Sequence, residues 1–175
     1  MLHSHESSRA VAFARARRAA QQWVDSYRPQ GKLHPAVCTQ CHATEWQGRW
    51  RWDEPAPDLA PVVCPACERI RDGAAAHVIE LSGALPPWWN EVRGMIGNVE
   101  RAEVLEHPME RIMKVAVGDD KVSVSTTGLH IARRLVAAIV RRWRRQVRLQ
   151  FGETVTAIEW LEPREARRQW QSAGR

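Results

Sequence analysis

Lysine is nearly absent from this sequence. Of 26 basic residues only Lys32, Lys114 and Lys121 are lysines, and the other 23 are arginines. Arginine offers a planar fork of donors that suits phosphate, although a GC-rich genome also enriches it. Long apolar runs are missing too. None approaches the ~18 residues that a membrane-spanning helix requires, so a soluble chain is expected, with no membrane partner. The first residues lack the unbroken apolar segment of a secretory signal, and a cytoplasmic location is the expectation. The signatures G-x-x-x-x-G-K-[ST], G-x-G-x-x-G, H-E-x-x-H and G-x-S-x-G do not occur. Neither an enzyme nor a small-molecule substrate is therefore expected. Tyrosine occurs once and phenylalanine twice, against nine tryptophans.

What is present is enough for one compact domain, or a domain with a small module: 175 residues, 44% hydrophobic and 26% charged. The net charge of +6 is unevenly placed. Residues 1–37 hold six bases and two acids, and residues 128–148 hold seven bases and no acid. Two local positive fields result, separated by an acidic middle.

Residues 1–34 read as a basic helical arm. Phe13, Ala16, Ala20, Trp23 and Tyr27 recur at helical spacing, while Arg15, Arg17 and Arg18 fall mostly elsewhere on the wheel. The arm could pack its aromatic stripe on the main body, contact nucleic acid through its arginines, or serve as a mitochondrial transit segment.

The strongest signal lies in residues 35–73. Cys38-Thr-Gln-Cys41 and Cys64-Pro-Ala-Cys67 use all four cysteines. Each C-x-x-C can turn two thiolates onto one ion, and two such knuckles form a tetrahedral four-sulfur zinc site. This predicts a zinc ribbon with Cys38, Cys41, Cys64 and Cys67 as ligands of a structural Zn2+. With all positions filled by sulfur, such a zinc is not catalytic. A long loop, Asp53–Pro61, would join the knuckles. Before it, Arg49 and Arg51 alternate with Trp50 and Trp52 after a bend at Gly48. Competing readings are covalent haem at Cys38-Thr-Gln-Cys41-His42, two disulfides, and a redox-active Cys64-Pro-Ala-Cys67. The first two call for export, and the third lacks an evident strand–helix context.

Residues 74–162 alternate in period. Ala76–Ser82 reads as a strand, and Pro86-Pro87 opens a helix that runs to His107-Pro108. Met109–Val117 and Lys121–Ser125 form a hairpin about Gly118-Asp119-Asp120. Gly128–Arg145 is a second helix capped by Thr127, and Thr154–Trp160 is a last strand. The order β-α-β-β-α-β predicts an α+β fold: a zinc ribbon followed by a ferredoxin-like sandwich, with a four-stranded antiparallel sheet under two helices. Residues 163–175 are a polar tail.

The second helix buries Leu129, Ala132, Leu135, Val136, Ile139, Val140 and Trp143. Arg133, Arg134, Arg141, Arg142, Arg144, Arg145 and Arg148 crowd the remainder. Like charges one turn apart repel, and a helix built only for stability would intersperse glutamates. A polyanion partner, RNA above all, is the natural reading beside that of a solvated face. Thr126, Thr127, His130 and Arg133 at its start could cradle a phosphate or simply cap it. Glu106-His107 could act as an acid–base pair.

Cys38-x-x-Cys41, Cys64-Pro-Ala-Cys67-Glu-Arg-Ile-Arg-Asp72, Val78-Ile-Glu-Leu-Ser-Gly83, His107-Pro-Met-Glu-Arg-Ile-Met113 and Thr126-Thr-Gly-Leu-His-Ile-Ala-Arg133 together resemble a bacterial zinc-ribbon family. That family is similar to the amino-terminal zinc-binding region of the archaeal and eukaryotic large-ribosomal-subunit export adaptor. The resemblance covers about residues 35–162. It implies zinc on the four cysteines and association with ribosomes or RNA, and it carries over no catalytic residue. The resulting expectation is a non-enzymatic adaptor. Its nucleic-acid contacts would be Arg15, Arg17, Arg18, Arg49, Trp50, Arg51, Trp52, Arg133, Arg134, Arg141, Arg142, Arg144, Arg145 and Arg148. The alternative is a protein-interaction module or transcription regulator, responsive to metal or redox state.

Overall fold

A computed structural model describes Tyr27, residues 35–53 and residues 58–162. The arm with Arg15, Arg17 and Arg18 (Tyr27 apart) and the tail from Pro163 lie outside these residues. The fold is α+β: a ribbon-like module precedes a layered β/α domain.

The module starts with β1 (Ala36–Cys38), β2 (Thr44–Trp46), β3 (Arg49–Arg51) and β4 (Ala60–Val62), arranged β3-β2-β1-β4. Gln47 and Gly48 join β2 to β3 with φ of 52° and 82°. Two positive φ values in a two-residue loop make a turn whose twist matches the flanking strands, and glycine lowers the strain there. The carboxylate of Glu45, fully buried, accepts from the Gly48 N–H and fixes the turn. β4 pairs with β1 in parallel, so Pro61 belongs to a strand where a loop was expected. Helix α1 (Pro65–Asp72) follows at once, with Pro65 in its first turn, where no N–H is needed. Cys64-Pro-Ala-Cys67 therefore does stand between a strand and a helix, correcting the expectation that it lacked that context.

The second domain consists of β5 (His77–Gly83), a 3-10 turn at Pro86–Trp88, α2 (Trp89–Glu106), β6 (Ile112–Val117), β7 (Lys121–Thr126), α3 (Leu129–Trp143), β8 (Val147–Phe151) and β9 (Val155–Trp160). The expected order of elements is present, with one strand more. The sheet has five strands, ordered β6-β7-β5-β9-β8, and it is mixed rather than antiparallel because β5 and β9 run parallel. The cause is β8. The helix ends at Trp143, two residues before the expected Arg145, and Val147, Leu149 and Phe151 then alternate as a strand. This added strand turns the chain once more, so β9 enters beside β5 in the opposite sense.

Alternation sets the two faces of the sheet. Ile79, Leu81, Val122, Val124, Ile158 and Trp160 face the helices and are buried with Val92, Ile96, Leu135 and Ile139. Trp143 is 1% exposed and meets Trp88 and Trp160 edge-on, with centroids 6.2 and 5.6 Å away. Such contacts add to the burial of two large rings. The opposite face carries small and polar residues, including Ser82, Ser123, Ser125, Ala116 and Ala157, at alternating register. Among the described residues it presents no aromatic ring on which a base could stack.

Candidate metal centre

The four cysteines converge, although a chain of 22 residues separates the two pairs. Their sulfurs all lie within 4.8 Å of one another, in a burial setting that leaves only Cys41 partly open. Cys41 Sγ and Cys64 Sγ stand 3.7 Å apart. An ion with ~2.3 Å bonds to sulfur at tetrahedral angles separates its ligands by about 3.8 Å, so that spacing fits one shared ion.

Local backbone geometry explains how each pair turns inward. In the first knuckle the Cys38 N–H donates to Ala43 O at 2.8 Å, and the His42 N–H donates to Cys38 O at 3.0 Å. His42 takes a φ of 63° to close this turn. The second knuckle is the start of α1. Cys64 is its N-cap, and its sulfur accepts the Cys67 N–H at 3.5 Å. The Cys64 N–H crosses to Cys38 Sγ at 3.3 Å and ties the knuckles together. N–H groups aimed at sulfur favour the thiolate that a metal requires.

The thiols differ accordingly. Burial alone would raise the Cys38 pKa, but N–H groups of Cys41, Cys64 and Gln40 overcome it and lower the thiol to about 6. Burial raises Cys64 and Cys67, helped for Cys64 by the neighbouring Cys41 sulfur. Four anionic sulfurs this close repel strongly, and a divalent cation is what lets all of them ionise together. The donor set therefore fits a metal ion.

Arg111, from the loop before β6, completes the surroundings. Its Nη2 donates to Cys41 Sγ at 3.0 Å and its Nη1 to Cys67 Sγ at 3.6 Å, while Nε donates to Pro108 O at 2.7 Å. Burial works against its charge, yet the Cys41 and Cys67 sulfurs outweigh it and its pKa is raised. The β6 strand was expected from Met109. It begins only at Ile112, because Met109 packs on the cysteine cluster and Arg111 reaches into it. Nothing in sequence spacing marks Arg111 as a partner of the cysteines.

Trp50 and Trp52, expected as nucleic-acid contacts, both make contacts within the fold, and Trp52 remains 42% exposed. Trp50 is half-buried against the cysteine cluster. The Trp52 Nε1–H donates to Val104 O on α2, and the Arg111 guanidinium lies 5.6 Å from the Trp52 ring centroid. Arg49 and Arg51 lie exposed on the edge strand β3, with Arg51 3.9 Å from Asp53.

The arginine-rich segment divides. Arg134 pairs with Glu103 at 2.7 Å, Arg142 with Glu91 at 2.7 Å, and Arg148 with Glu159 at 2.6 Å. Arg148 is not on the helix. It lies on β8 next to buried Val147 and so points to the opposite sheet face, away from the arginines of α3. Arg133, Arg141 and Arg144 are exposed and face no acid among the described residues. Arg145 is exposed as well.

The start of α3 is not a phosphate cradle. The Glu110 carboxylate already accepts the Ile131 N–H at 2.8 Å. Gly128 is the N-cap and makes no side-chain cap; a Cβ there would lie 2.3 Å from both Glu110 oxygens. Thr127, expected as the cap, instead donates to Met109 O at 2.7 Å and accepts from the Arg111 N–H at 2.8 Å. Glu110 acts as a cap supplied from another element.

The chain matches no protein-family model and no curated protein. No helix among the described residues is long and apolar enough to cross a membrane.

Proposed function

We propose that this protein is a zinc-binding, non-enzymatic adaptor of the cytoplasm that associates with structured RNA, as on a ribosome. The metal on Cys38, Cys41, Cys64 and Cys67 is read as zinc because four sulfurs in two C-x-x-C pairs suit its tetrahedral preference. It would hold the module against the β/α domain, not carry out chemistry.

The observation that carries the RNA reading is the row Arg133, Arg141 and Arg144. These residues are exposed and unpaired with acid among the described residues, with small Ala137 between them. Positions i, i+8 and i+11 share one helix side and extend about 16 Å. Phosphate contacts of this kind give affinity without sequence preference. The resemblance of residues 35–162 to a bacterial zinc-ribbon family, itself similar to the export-adaptor zinc region, is a second ground for this reading.

The test is binding of a labelled structured RNA, and co-sedimentation with ribosomes with and without nuclease. Three phosphate contacts give a slope of roughly −2 to −3 in log affinity against log salt. Arg133→Glu/Arg141→Glu/Arg144→Glu should lower affinity at least tenfold and flatten that slope. Binding indifferent to both salt and these changes would overturn the proposal. A protein partner is the competing reading, and Trp46, 47% exposed near the β2–β3 turn, favours it. A partner retained after nuclease treatment and lost in Trp46→Ala would decide for it.

A further inference from the structure

Glu103, His107 and His130 bring three donor atoms within 4.8 Å of one another, away from the cysteines. Glu103 lies in the last turn of α2 and His107 caps it, its N–H donating to Glu103 O at 2.8 Å and holding the two residues a turn apart. His130 comes from the first turn of α3. The site thus bridges the two helices.

Its geometry is that of a partly assembled coordination sphere. His130 Nε2 lies 3.0 Å from Glu103 Oε2. Two ligands on one ion at ~2.0–2.1 Å stand about 3.0–3.4 Å apart, so this pair already has the needed spacing. The His107 ring lies edge-on to that of His130, with centroids 5.5 Å apart. His107 is half-exposed and can swing by the remaining ångström or so. The carboxylate is fixed in place: the Glu103 side chain is 7% exposed, and Arg134 Nε donates to Oε1 at 2.7 Å. This leaves Oε2 facing the imidazoles, the kind of outer partner that orients a ligating carboxylate.

We propose that Glu103, His107 and His130 form a second, solvent-open site for a divalent transition-metal ion. Two imidazoles and a carboxylate suit zinc, nickel or copper rather than magnesium or calcium. With three protein ligands and both histidines at the surface, water completes the shell. The site differs in kind from the closed four-sulfur centre and does not depend on its role.

The test uses the full chain with its cysteine centre saturated by zinc, and zinc itself as the probe. Calorimetry and metal analysis should find a second equivalent, and X-ray absorption should report nitrogen and oxygen neighbours for it. His107→Gln and His130→Gln each weaken this second step at least ~tenfold, and the double variant loses it while keeping the first equivalent. Both histidines are exposed, so the fold should persist, as circular dichroism will check. Asp119→Asn, an exposed acid on the β6–β7 turn, leaves the second step unchanged. A single equivalent in the wild type, or a second one that survives His107→Gln/His130→Gln, overturns the proposal.

Discussion

The two halves of the described structure are held together by different materials. In the β/α domain the buried centre is hydrocarbon, from Ile79 on β5 through Ile139 on α3 to Trp160 on β9. Around β1 and α1 the buried cluster is Cys38, Cys64, Cys67 and Ala66. A module this small cannot bury enough apolar surface to offset its chain entropy, whereas a core of interlocked aliphatic and indole groups can. The centre of the first half consists of donor atoms, so its folding is tied to whatever they bind. One chain thus joins a unit with a hydrocarbon core to a unit whose small buried centre is a set of metal-donor atoms.

Removing the metal should split the halves most sharply. Chelation, or Cys67→Ser, removes a contribution on the order of 10 kcal/mol if the ion is structural zinc. Hydrogen exchange should then show amides of 36–64 unprotected while those of β5, β7 and β9 remain slow. The reverse experiment is Ile139→Ala, which removes a fully buried side chain and should cost ~2–5 kcal/mol in the β/α domain. Metal stoichiometry should stay the same at a temperature where the variant is folded. If chelation melts both halves together, the contrast is wrong.

The seam between them is the next place to press. Arg111→Met keeps length and packing but removes the donors to Cys41 and Cys67. Metal affinity should fall ~10–100-fold, the usual effect of deleting an outer-shell partner. Arg111→Lys, which keeps the charge but not the fork, should fall between. Competition with a chromophoric chelator reads all three proteins. Equal affinities would mean that the β/α domain merely abuts the cysteine centre.

The two halves also differed in how legible they were. Cysteine spacing alone located the metal ligands, because a C-x-x-C pair is a local geometric statement. Period-two and period-3.6 patterns placed β5, α2, β7, α3 and β9, since each buries one face. What escaped were features that depend on another element. The β8 strand hides behind Arg144 and Arg145, whose charge reads as a continued helix. Glu110 caps α3 from 21 residues away, leaving Thr127 free for other bonds. Arg111 and the Glu103–His107–His130 cluster exist only once loop and helices meet. The arginines of α3 were legible as composition, but the pairing of Arg134 with Glu103 and of Arg142 with Glu91 was not, for the acids sit on α2.

The smallest effect expected lies inside the hydrocarbon half, at a polar exception to it. His77 is buried on β5, and its Nε2 lies 2.9 Å from Thr156 Oγ1 on β9. Its Nδ1 is buried without a hydrogen-bond partner among the described residues. Burial, then the charge of Arg133, lower its pKa below the ordinary histidine value. The folded chain therefore resists a proton that the unfolded chain accepts. By linkage, stability is fully present above about pH 6.5 and declines as pH falls from there through the folded-state pKa. His77→Gln keeps a group able to bond Thr156 but cannot titrate. Urea midpoints measured from pH 7.5 to 5.5 should fall more steeply for the wild type than for the variant. Parallel slopes would show that the acid sensitivity of this domain arises elsewhere, and that its core tolerates a charged imidazole beside Thr156.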